Sequence, residues 1–423
     1  MASRRSIRIA LGLLLLCLVA TAAGLWWSER DDLQTSSAAE PFVATPQQVA
    51  RGAYLARAGN CASCHTARGG KPYAGGVGIA TPFGTVFSSN LTPDAANGLG
   101  QWSAADFWRA LHHGRSRDGR LLYPAFPYTS YTLVSREDSD ALLAYFKSLP
   151  GVSRPNQAHA LDFPYNSQSA LAVWRALFFK PGAYTVNAGK STDWNRGAYL
   201  VRGLGHCAEC HADRNALGAS KDPLQLNGGL VPLQRWYAPS LAAVHEGGVG
   251  QGDAEQTIAL LKTGVTEGRS AMGPMAEVVY RSTQYLSDPD LKAMVEYLKE
   301  LPRPSEQTEV PGSVEKSAQF SDGERIYSQH CAQCHGELGE GAQGAYAPLA
   351  GNRAVLLASP ANLVQAVLNG GYPPSTQGNP RPYGMPPFRQ TLDDAQVASV
   401  LTYIRQAWGN AAAPVSVRNV ISQ

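Results

Sequence analysis

The sequence has almost no excess of positive charge. Its 36 Lys and Arg residues are nearly balanced by 33 Asp and Glu residues, so the formal net charge is only +3. Proteins that bind nucleic acid carry a basic stripe or patch that neutralises phosphates, and no such stripe is visible here. We therefore expect no nucleic-acid partner.

The sequence has cysteines only in one repeated motif and in one apolar stretch. Cys17 lies in the apolar N-terminal stretch, and the other six of the seven cysteines form three CxxC pairs, each followed by His. None is left over for the disulfide framework expected in an exported protein. The three pairs share no further Cys or His at the set spacings of a zinc site. No βαβ pattern of a thioredoxin-like domain is visible either.

Charged residues are missing from Ile9–Trp27, which follows the basic stretch "MASRRSIR". A basic start, an apolar stretch and small residues at Ala20–Ala22 are typical of a cleaved signal peptide. The length of the stretch also suits an uncleaved membrane anchor. The sequence leaves both interpretations open, and both place the chain after about residue 30 outside the cytoplasm.

The paired cysteines belong to a repeat. "RGAYLARAGNCASCH" begins at Arg51, "RGAYLVRGLGHCAECH" at Arg196 and "DGERIYSQHCAQCH" at Asp322, and each stretch predicts a short helix leading into the motif. Each repeat also ends in a predicted helix with apolar residues at helical spacing, whose start is marked by Ser or Thr followed three residues later by Asp. These starts are Ser135 with Asp138, Ser287 with Asp290, and Thr391 with Asp394. We expect the first helix, with its small residues, to cross the last helix closely.

The CxxCH motif has a specific chemical use. Cysteines three apart on a helical turn each form a thioether to a haem vinyl group, and the adjacent His binds the iron as the proximal ligand. One CxxC pair is also compatible with a zinc half-site or a redox dithiol, but three copies in a repeating exported unit favour haem. The sequence therefore predicts three haem c groups, attached at Cys61 and Cys64, Cys207 and Cys210, and Cys331 and Cys334, with His65, His211 and His335 as proximal ligands.

Methionine, the usual second axial ligand of such domains, is also scarce. A thioether ligand raises the reduction potential of the haem, and the chain has only five methionines. Met385 lies in the Pro-stiffened stretch "PYGMPPF", and Met272 and Met275 lie at the matching place of the second repeat. We predict Met385 and Met275 as ligands, the latter because of its Pro-flanked setting. A lone Met is otherwise often a core residue.

The first repeat has no methionine at all. Its matching stretch is "YPAFPYTSY", a Pro-broken loop with Phe126 at its centre. We predict that this loop covers the distal face of the first haem without coordinating iron. Either that iron is five-coordinate, or His112 or His113 from the preceding predicted helix replaces the missing ligand. His206, His245 and His330 are interpreted as non-ligands.

The spacing of the repeats predicts an all-α fold of three tandem c-type cytochrome domains joined by linkers. Gly-rich stretches between the helices indicate loops rather than sheet. In the first linker, "SALAVWRALFFKPGAY" is interpreted as an interdomain packing segment rather than a membrane-surface or partner contact, because it lacks the basic face of a membrane-surface helix. The predicted boundaries are a signal peptide or N-terminal membrane anchor plus linker at 1–43, domain 1 at 44–151, a linker at 152–189, domain 2 at 190–302, a linker at 303–316, domain 3 at 317–411 and a tail at 412–423.

Several longer stretches resemble a known family. "NLTPDAANGLGQW", "LYPAFPYTSY", "GPMAEVVYRSTQYL" and "NPRPYGMPPF" are similar to the triple-haem cytochrome c subunits of bacterial membrane-bound alcohol, aldehyde and sugar-acid dehydrogenases. The resemblance covers nearly the whole chain after residue 45. It implies three all-α cytochrome domains on the periplasmic side of the bacterial cytoplasmic membrane. By position it implies the axial ligands His65, His211, Met275, His335 and Met385, and the departure is Phe126, where the family has Met.

Two classes of function follow. The first is an electron-transfer subunit, rather than a catalytic one, that relays electrons from a quinone-, flavin- or molybdenum-dependent dehydrogenase subunit to membrane ubiquinone or a terminal oxidase. A cytochrome arm of a terminal oxidase differs from it only in where the electrons go. The alternative is a haem enzyme, peroxidase-like, working at an open first haem. Peroxide cleavage needs a distal acid–base side chain, and the loop around Phe126 offers only Tyr, Thr and Ser.

Overall fold

Helices dominate the computed structural model, which describes residues 42–250, 252–303 and 317–423. The predicted targeting segment Ile9–Trp27 lies outside these residues. Among the residues described, no helix combines the length and apolar character needed to cross a bilayer. The α-helices are α1 (Pro46–Ala58), α2 (Cys61–His65), α3 (Ala104–His113), α4 (Tyr128–Tyr131), α5 (Arg136–Ser148), α6 (Gln168–Phe178), α7 (Thr192–Tyr199), α8 (Ala208–His211), α9 (Ala254–Thr263), α10 (Gly273–Arg281), α11 (Asp288–Lys299), α12 (Ala318–His330), α13 (Ala332–His335), α14 (Arg353–Leu356), α15 (Ala361–Asn369), α16 (Asp394–Gln406) and α17 (Val417–Ile421).

Short strands accompany the helices, a feature that the all-α prediction missed. In the described chain they form one three-stranded sheet in the order β1-β2-β3 and two two-stranded ribbons, β4-β5 and β6-β7. Pairs this short add little stability of their own, and they serve to fold loops back on themselves. The strands are β1 (Gly78–Thr81), β2 (Gly84–Phe87), β3 (Ala160–Leu161), β4 (Gly229–Leu230), β5 (Tyr237–Ala238), β6 (Val265–Thr266) and β7 (Arg269–Ser270).

The described chain divides into two compact units. The first comprises residues 42–53, Ala74–Ile79 and Phe83–Tyr184, and the second comprises Tyr54–Tyr73, Ala80–Pro82 and Thr185–Gln423. The first CxxCH motif therefore belongs to the second unit, together with the other two motifs. The described chain forms two compact units, whose limits differ from the predicted domain boundaries. The three tandem domains therefore stay a prediction.

A glycine lets the first and last helices of each repeat approach closely. A β-carbon at Gly52, in α1, would overlap the carbonyl oxygen of Ala141, in α5. The same overlap would occur at Gly197 against Ala293, and at Gly323 against Ser399. Only glycine allows helix backbones to touch at such points. The close crossing expected from the sequence is therefore present three times.

Side-chain caps start the last helix of each repeat. Ser135 and Ser287 accept hydrogen bonds from the backbone N–H groups of Asp138 and Asp290, as predicted. The predicted start at Thr391 is wrong, because the cap is Asp393, which forms a reciprocal capping box with Gln396. The Thr391 N–H instead donates to the carbonyl oxygen of Phe388 in the preceding turn. Asp is as good a cap as Ser or Thr, so the sequence alone offered two competing starts.

The apolar linker segment packs inside the first unit. Leu171 and Arg175 on α6 are buried. The Arg175 guanidinium lies 5.3 Å from the ring centre of Tyr128 and 4.8 Å from that of Phe179. Burying a cation against aromatic faces compensates part of its lost hydration. The segment thus packs within one compact unit, and its interdomain role stays a prediction.

The second and third repeats pack against each other within the second unit. Arg353 forms an ion pair with Asp253. Asn362 exchanges two hydrogen bonds with the backbone of Tyr237, each 2.8 Å long. These contacts join residues about 100 positions or more apart in sequence, and they hold the predicted second and third domains in one body.

Candidate haem-binding sites

Each CxxCH motif ends in a short helix. In α2, the cysteine side chains of Cys61 and Cys64 lie three residues apart, a spacing that places both on one side of a helical turn. The chain enters this helix through Asn60, which has a left-handed backbone with φ of 49°. His206 has φ of 37° at the corresponding entry to the second motif. All six motif cysteines are free thiols, as covalent attachment of a haem requires.

Burial sets the chemistry of these thiols. It raises the pKa of Cys61 and of Cys207 to about 12, and that of Cys331 to about 11. Reactive and metal-binding cysteines have lowered pKa values that favour the thiolate. Burial instead favours the protonated thiol at Cys61, Cys207 and Cys331.

Two of the motif histidines are oriented by backbone carbonyl groups. His211 Nδ1 lies 2.7 Å from the carbonyl oxygen of Pro239, and His335 Nδ1 lies 2.9 Å from that of Ala347. A carbonyl oxygen only accepts, so Nδ1 carries the proton and Nε2 keeps its lone pair. Burial lowers the pKa of both imidazoles despite these hydrogen bonds. A neutral imidazole held by its second nitrogen is the form that binds a metal ion.

The carbonyl groups of Pro239 and Ala347 are functional groups that the sequence did not reveal. Pro239 lies 28 residues after His211, whereas Ala347 lies 12 residues after His335. A backbone carbonyl has no side-chain signature, and the two loops differ in length. Only the folded loops show that the two positions are equivalent.

The third repeat brings Met385 to the core that carries its own motif. Met385 and Gly371 exchange two backbone hydrogen bonds of 2.8 and 3.0 Å, which fix the stretch before α16. The Met385 side chain packs against the same cluster of buried apolar residues as Cys331 and Phe388. The role of Met385 as an axial ligand stays a prediction.

Met275 lies in the first turn of α10, and Met272 is the residue immediately before this helix. The ribbon β6-β7 precedes the turn, with Val265 paired to Ser270. Gly273 has φ of 55° and lies against the Trp236 ring, which a β-carbon would overlap. Helix α10 also contacts α2, the helix of the first motif. The helix that carries Met275 therefore lies next to the attachment helix of another predicted haem.

The candidates for the distal side of the first haem lie in the first unit. Phe126 is half-buried, and its ring centre is 5.3 Å from that of Tyr131. The imidazole of His112 stacks on Trp108 at 4.4 Å, and the ring of His113 meets it edge-on at 4.7 Å. Cys61 and His65 belong to the second unit. The distal role of Phe126, His112 and His113 stays a prediction.

Family models match most of the described chain. The family described as "Cytochrome c" matches residues 49–150 and 195–302. The family described as "Cytochrome C oxidase, cbb3-type, subunit III" matches residues 318–404. Each of the three CxxCH motifs falls inside one of these matches.

Relatives match over nearly the same span. The alcohol dehydrogenase (quinone) cytochrome c subunit of Gluconacetobacter polyoxogenes is 38% identical over 380 residues, 86% of this chain and 81% of that protein. The gluconate 2-dehydrogenase cytochrome c subunit of Pantoea cypripedii is 37% identical over 395 residues, 88% and 89% of the two chains. The fructose dehydrogenase cytochrome subunit of Gluconobacter japonicus is 34% identical over 415 residues, 90% and 85%.

Proposed function

Because the chain belongs to the cytochrome c subunits of alcohol, gluconate and fructose dehydrogenases, we propose that it relays electrons through three covalently attached haem c groups. The observation that carries the proposal is the paired geometry of His211 and His335. Each ends a CxxCH helix, and each has Nδ1 bonded to a backbone carbonyl group. This leaves Nε2 available to an iron.

The chain's own residues fit covalent haem. Free, protonated thiols are the reactants that form thioethers, and burial keeps Cys61, Cys207 and Cys331 protonated. In this proposal Cys61 and Cys64, Cys207 and Cys210, and Cys331 and Cys334 would hold the haems, and His65, His211 and His335 would be the proximal ligands of their irons. When bound, haem supplies a one-electron couple whose potential the axial ligands and burial adjust.

The three predicted sites differ in the residue available as the distal ligand of the iron. Met275 and Met385 supply thioether sulfurs to the second and third irons, which raises their potentials relative to a site without Met. Phe126 stands at the matching place of the first repeat and has no donor atom. The first iron is therefore open, or His112 or His113 binds it. Either arrangement gives the first haem a different potential from the other two.

The partner in this proposal is the catalytic subunit of a dehydrogenase, since each of the relatives named above is a cytochrome subunit of such an enzyme. The partner's cofactor is a quinone, a flavin or a molybdenum centre. Electrons leave for membrane ubiquinone or a terminal oxidase. The N-terminal sequence supports a location on the periplasmic side of the bacterial cytoplasmic membrane, associated with that membrane.

The second candidate function is a peroxidase-like activity at the first haem. The observation that favours it is the absence of methionine from "YPAFPYTSY", which leaves a coordination position for a small molecule. Tyr128, the most buried tyrosine of this loop, has 0% of its surface exposed and packs against Phe179. Its role in packing leaves it poorly placed to serve as a distal acid.

The test is the reduced visible spectrum of the purified holoprotein, with and without carbon monoxide, combined with the mass of motif-containing peptides. We expect covalent haem on all three peptides, and about one third of the haem signal sensitive to carbon monoxide if one site in three is open. Peptides with unmodified cysteines contradict the proposal. Complete insensitivity to carbon monoxide excludes the peroxidase-like function and leaves the relay.

A further inference from the structure

The last two turns of α1, which lead into the first motif, are fastened to the second repeat by the hydroxyl group of Tyr54. Tyr54 Oη donates to Asp290 Oδ2 at 2.5 Å and accepts a hydrogen bond from the Ser287 N–H at 3.1 Å. Asp290 is 9% exposed and forms a two-pronged ion pair with Arg196, both contacts being 2.8 Å. Tyr54 thus adds a third helix to a pair that already joins the first and last helices of the second repeat.

Arg196 and Asp290 form the same pair that Arg51 and Asp138 form in the first repeat. In the second repeat a buried carboxylate uses the spare capacity of its Oδ2 oxygen to accept from Tyr54. Buried carboxylates are stable only when their oxygens are bonded. The hydrogen bond from Tyr54 therefore helps to stabilise the buried carboxylate of Asp290. We call the three residues Tyr54, Asp290 and Arg196 the interlock.

Three further contacts follow along the same segment of chain. The Arg57 guanidinium lies 4.2 Å above the ring centre of Tyr285. Ser282 Oγ donates to the carbonyl oxygen of Ala58 at 3.3 Å. His206 Nε2 lies 3.4 Å from the carbonyl oxygen of Gly59. All of them fall between Tyr54 and Cys61, and all bind this segment to the second repeat.

These contacts end beside both predicted attachment sites. Gly59 lies two residues before Cys61, and its contact His206 immediately precedes Cys207. The helix α10, which carries Met275, contacts α2 on the same side. The first and second motifs are thus held by a continuous set of contacts within one compact unit.

We propose that Tyr54 is a positioning residue for electron transfer, because the interlock fixes the separation and orientation of the first and second haems. The inference rests on the proposed function, since it requires haem on both motifs. Tyr54 touches neither haem in this proposal and acts through α1. Its substitution is therefore expected to change the coupling between two haems rather than the ligation of either one.

The experiment uses the full-length holoprotein and three variants. Tyr54→Phe keeps the ring and removes the hydroxyl, while Arg57→Gln removes an exposed contact of the same segment. Tyr280→Phe is the matched control, because Tyr280 is a 48% exposed tyrosine of α10 outside the interlock. The readout is the electron spin relaxation of one haem, which a neighbouring paramagnetic ferric haem enhances steeply as their distance shortens. Peptide masses report haem content independently.

We expect enhanced relaxation in the wild type and the control, and a loss of enhancement in Tyr54→Phe and Arg57→Gln with all haems retained. Unchanged enhancement in Tyr54→Phe overturns the proposal, whatever Arg57→Gln shows, as does an equal loss in Tyr280→Phe or no enhancement in the wild type. These results leave the proposed function intact when the peptides carry haem. Missing haem on the first or second motif of the wild type contradicts the proposed function itself.

Discussion

Arg353 Nη2 lies 2.6 Å from Asp253 Oδ2, across the contact between the second and third repeats. Arg269 Nη2 lies 3.1 Å from the other oxygen of the same carboxylate. The Asp253 side chain, which is 15% exposed, thus forms ion pairs with Arg269 of the second repeat and Arg353 of the third. Burial is the largest single effect and opposes ionisation of Asp253. The hydrogen bonds from Arg353 and the Gly250 N–H, together with the charges of Arg353 and Arg269, outweigh it and hold the pKa below its ordinary value.

The first prediction concerns acid stability. The folded-state pKa of Asp253 is depressed. The ionised carboxylate therefore contributes to the free energy of unfolding above the unfolded-state pKa of about 3.9, and this contribution is lost as the pH falls through the folded-state pKa. Asp253→Asn is expected to lower the free energy of unfolding by about 1.5–3 kcal/mol at neutral pH. It should also flatten the acid side of the Tm profile. The control is Glu255→Gln on the same helix, where the carboxylate is exposed. Parallel acid profiles for the wild type and Asp253→Asn would rule out this role.

The second prediction concerns the helix crossing in the first unit. Gly52→Ala places a methyl group on the backbone of Ala141, so α1 and α5 must separate. Overpacking of this kind costs about 1–3 kcal/mol, more than the helix propensity of alanine returns. Thermal unfolding of the holoprotein measures the loss. Gly182→Ala is the control, because a β-carbon there meets no atom within 4 Å. Equal Tm values for the two variants would contradict a tight crossing.

The third prediction concerns the third haem. Met385→Leu keeps an apolar side chain against the core cluster that Cys331 also contacts but removes the sulfur. A lost thioether ligand lowers the reduction potential, so one of the three redox transitions should move to a lower potential. A potentiometric titration of the purified protein measures this shift. Met294→Leu changes a buried methionine of α11 that is not a predicted ligand, and its titration should match that of the wild type. If Met385→Leu also matches, Met385 is not an iron ligand.

The fourth prediction concerns the first haem. Phe126→Met supplies a thioether at the place where the first repeat has none. We expect a raised potential for one haem and loss of the carbon-monoxide-sensitive fraction of the spectrum. Phe179→Met is the control, since Phe179 packs on Tyr128 in the same unit but lies outside the loop. A titration and a carbon monoxide spectrum that both stay unchanged in Phe126→Met would show that the loop does not cover the iron.

Local patterns were sufficient to predict that the chain carries cytochrome c domains, which the family matches confirm. CxxCH is a contiguous motif on one helical turn, so its meaning does not depend on where the rest of the chain lies. The close helix crossings were also predictable, because a small residue facing an aromatic helix recurs in all three repeats. Cap positions were less certain. Thr391 and Asp393 are both acceptable caps, and the turn at Phe388 decides between them.

Long-range contacts were beyond the sequence for a physical reason. The carbonyl groups of Pro239 and Ala347 orient histidines through loops of unequal length, and backbone groups look alike at every position. The bond between Tyr54 and Asp290 joins residues 236 positions apart, and a tyrosine in a repeated helix gives no sign of its partner. The sequence by itself determined the cytochrome c family and the place of its CxxCH motifs, because both are contiguous patterns. Only the tertiary structure decided which CxxCH motifs share one compact unit, because that depends on long-range packing between repeats, which no local pattern encodes.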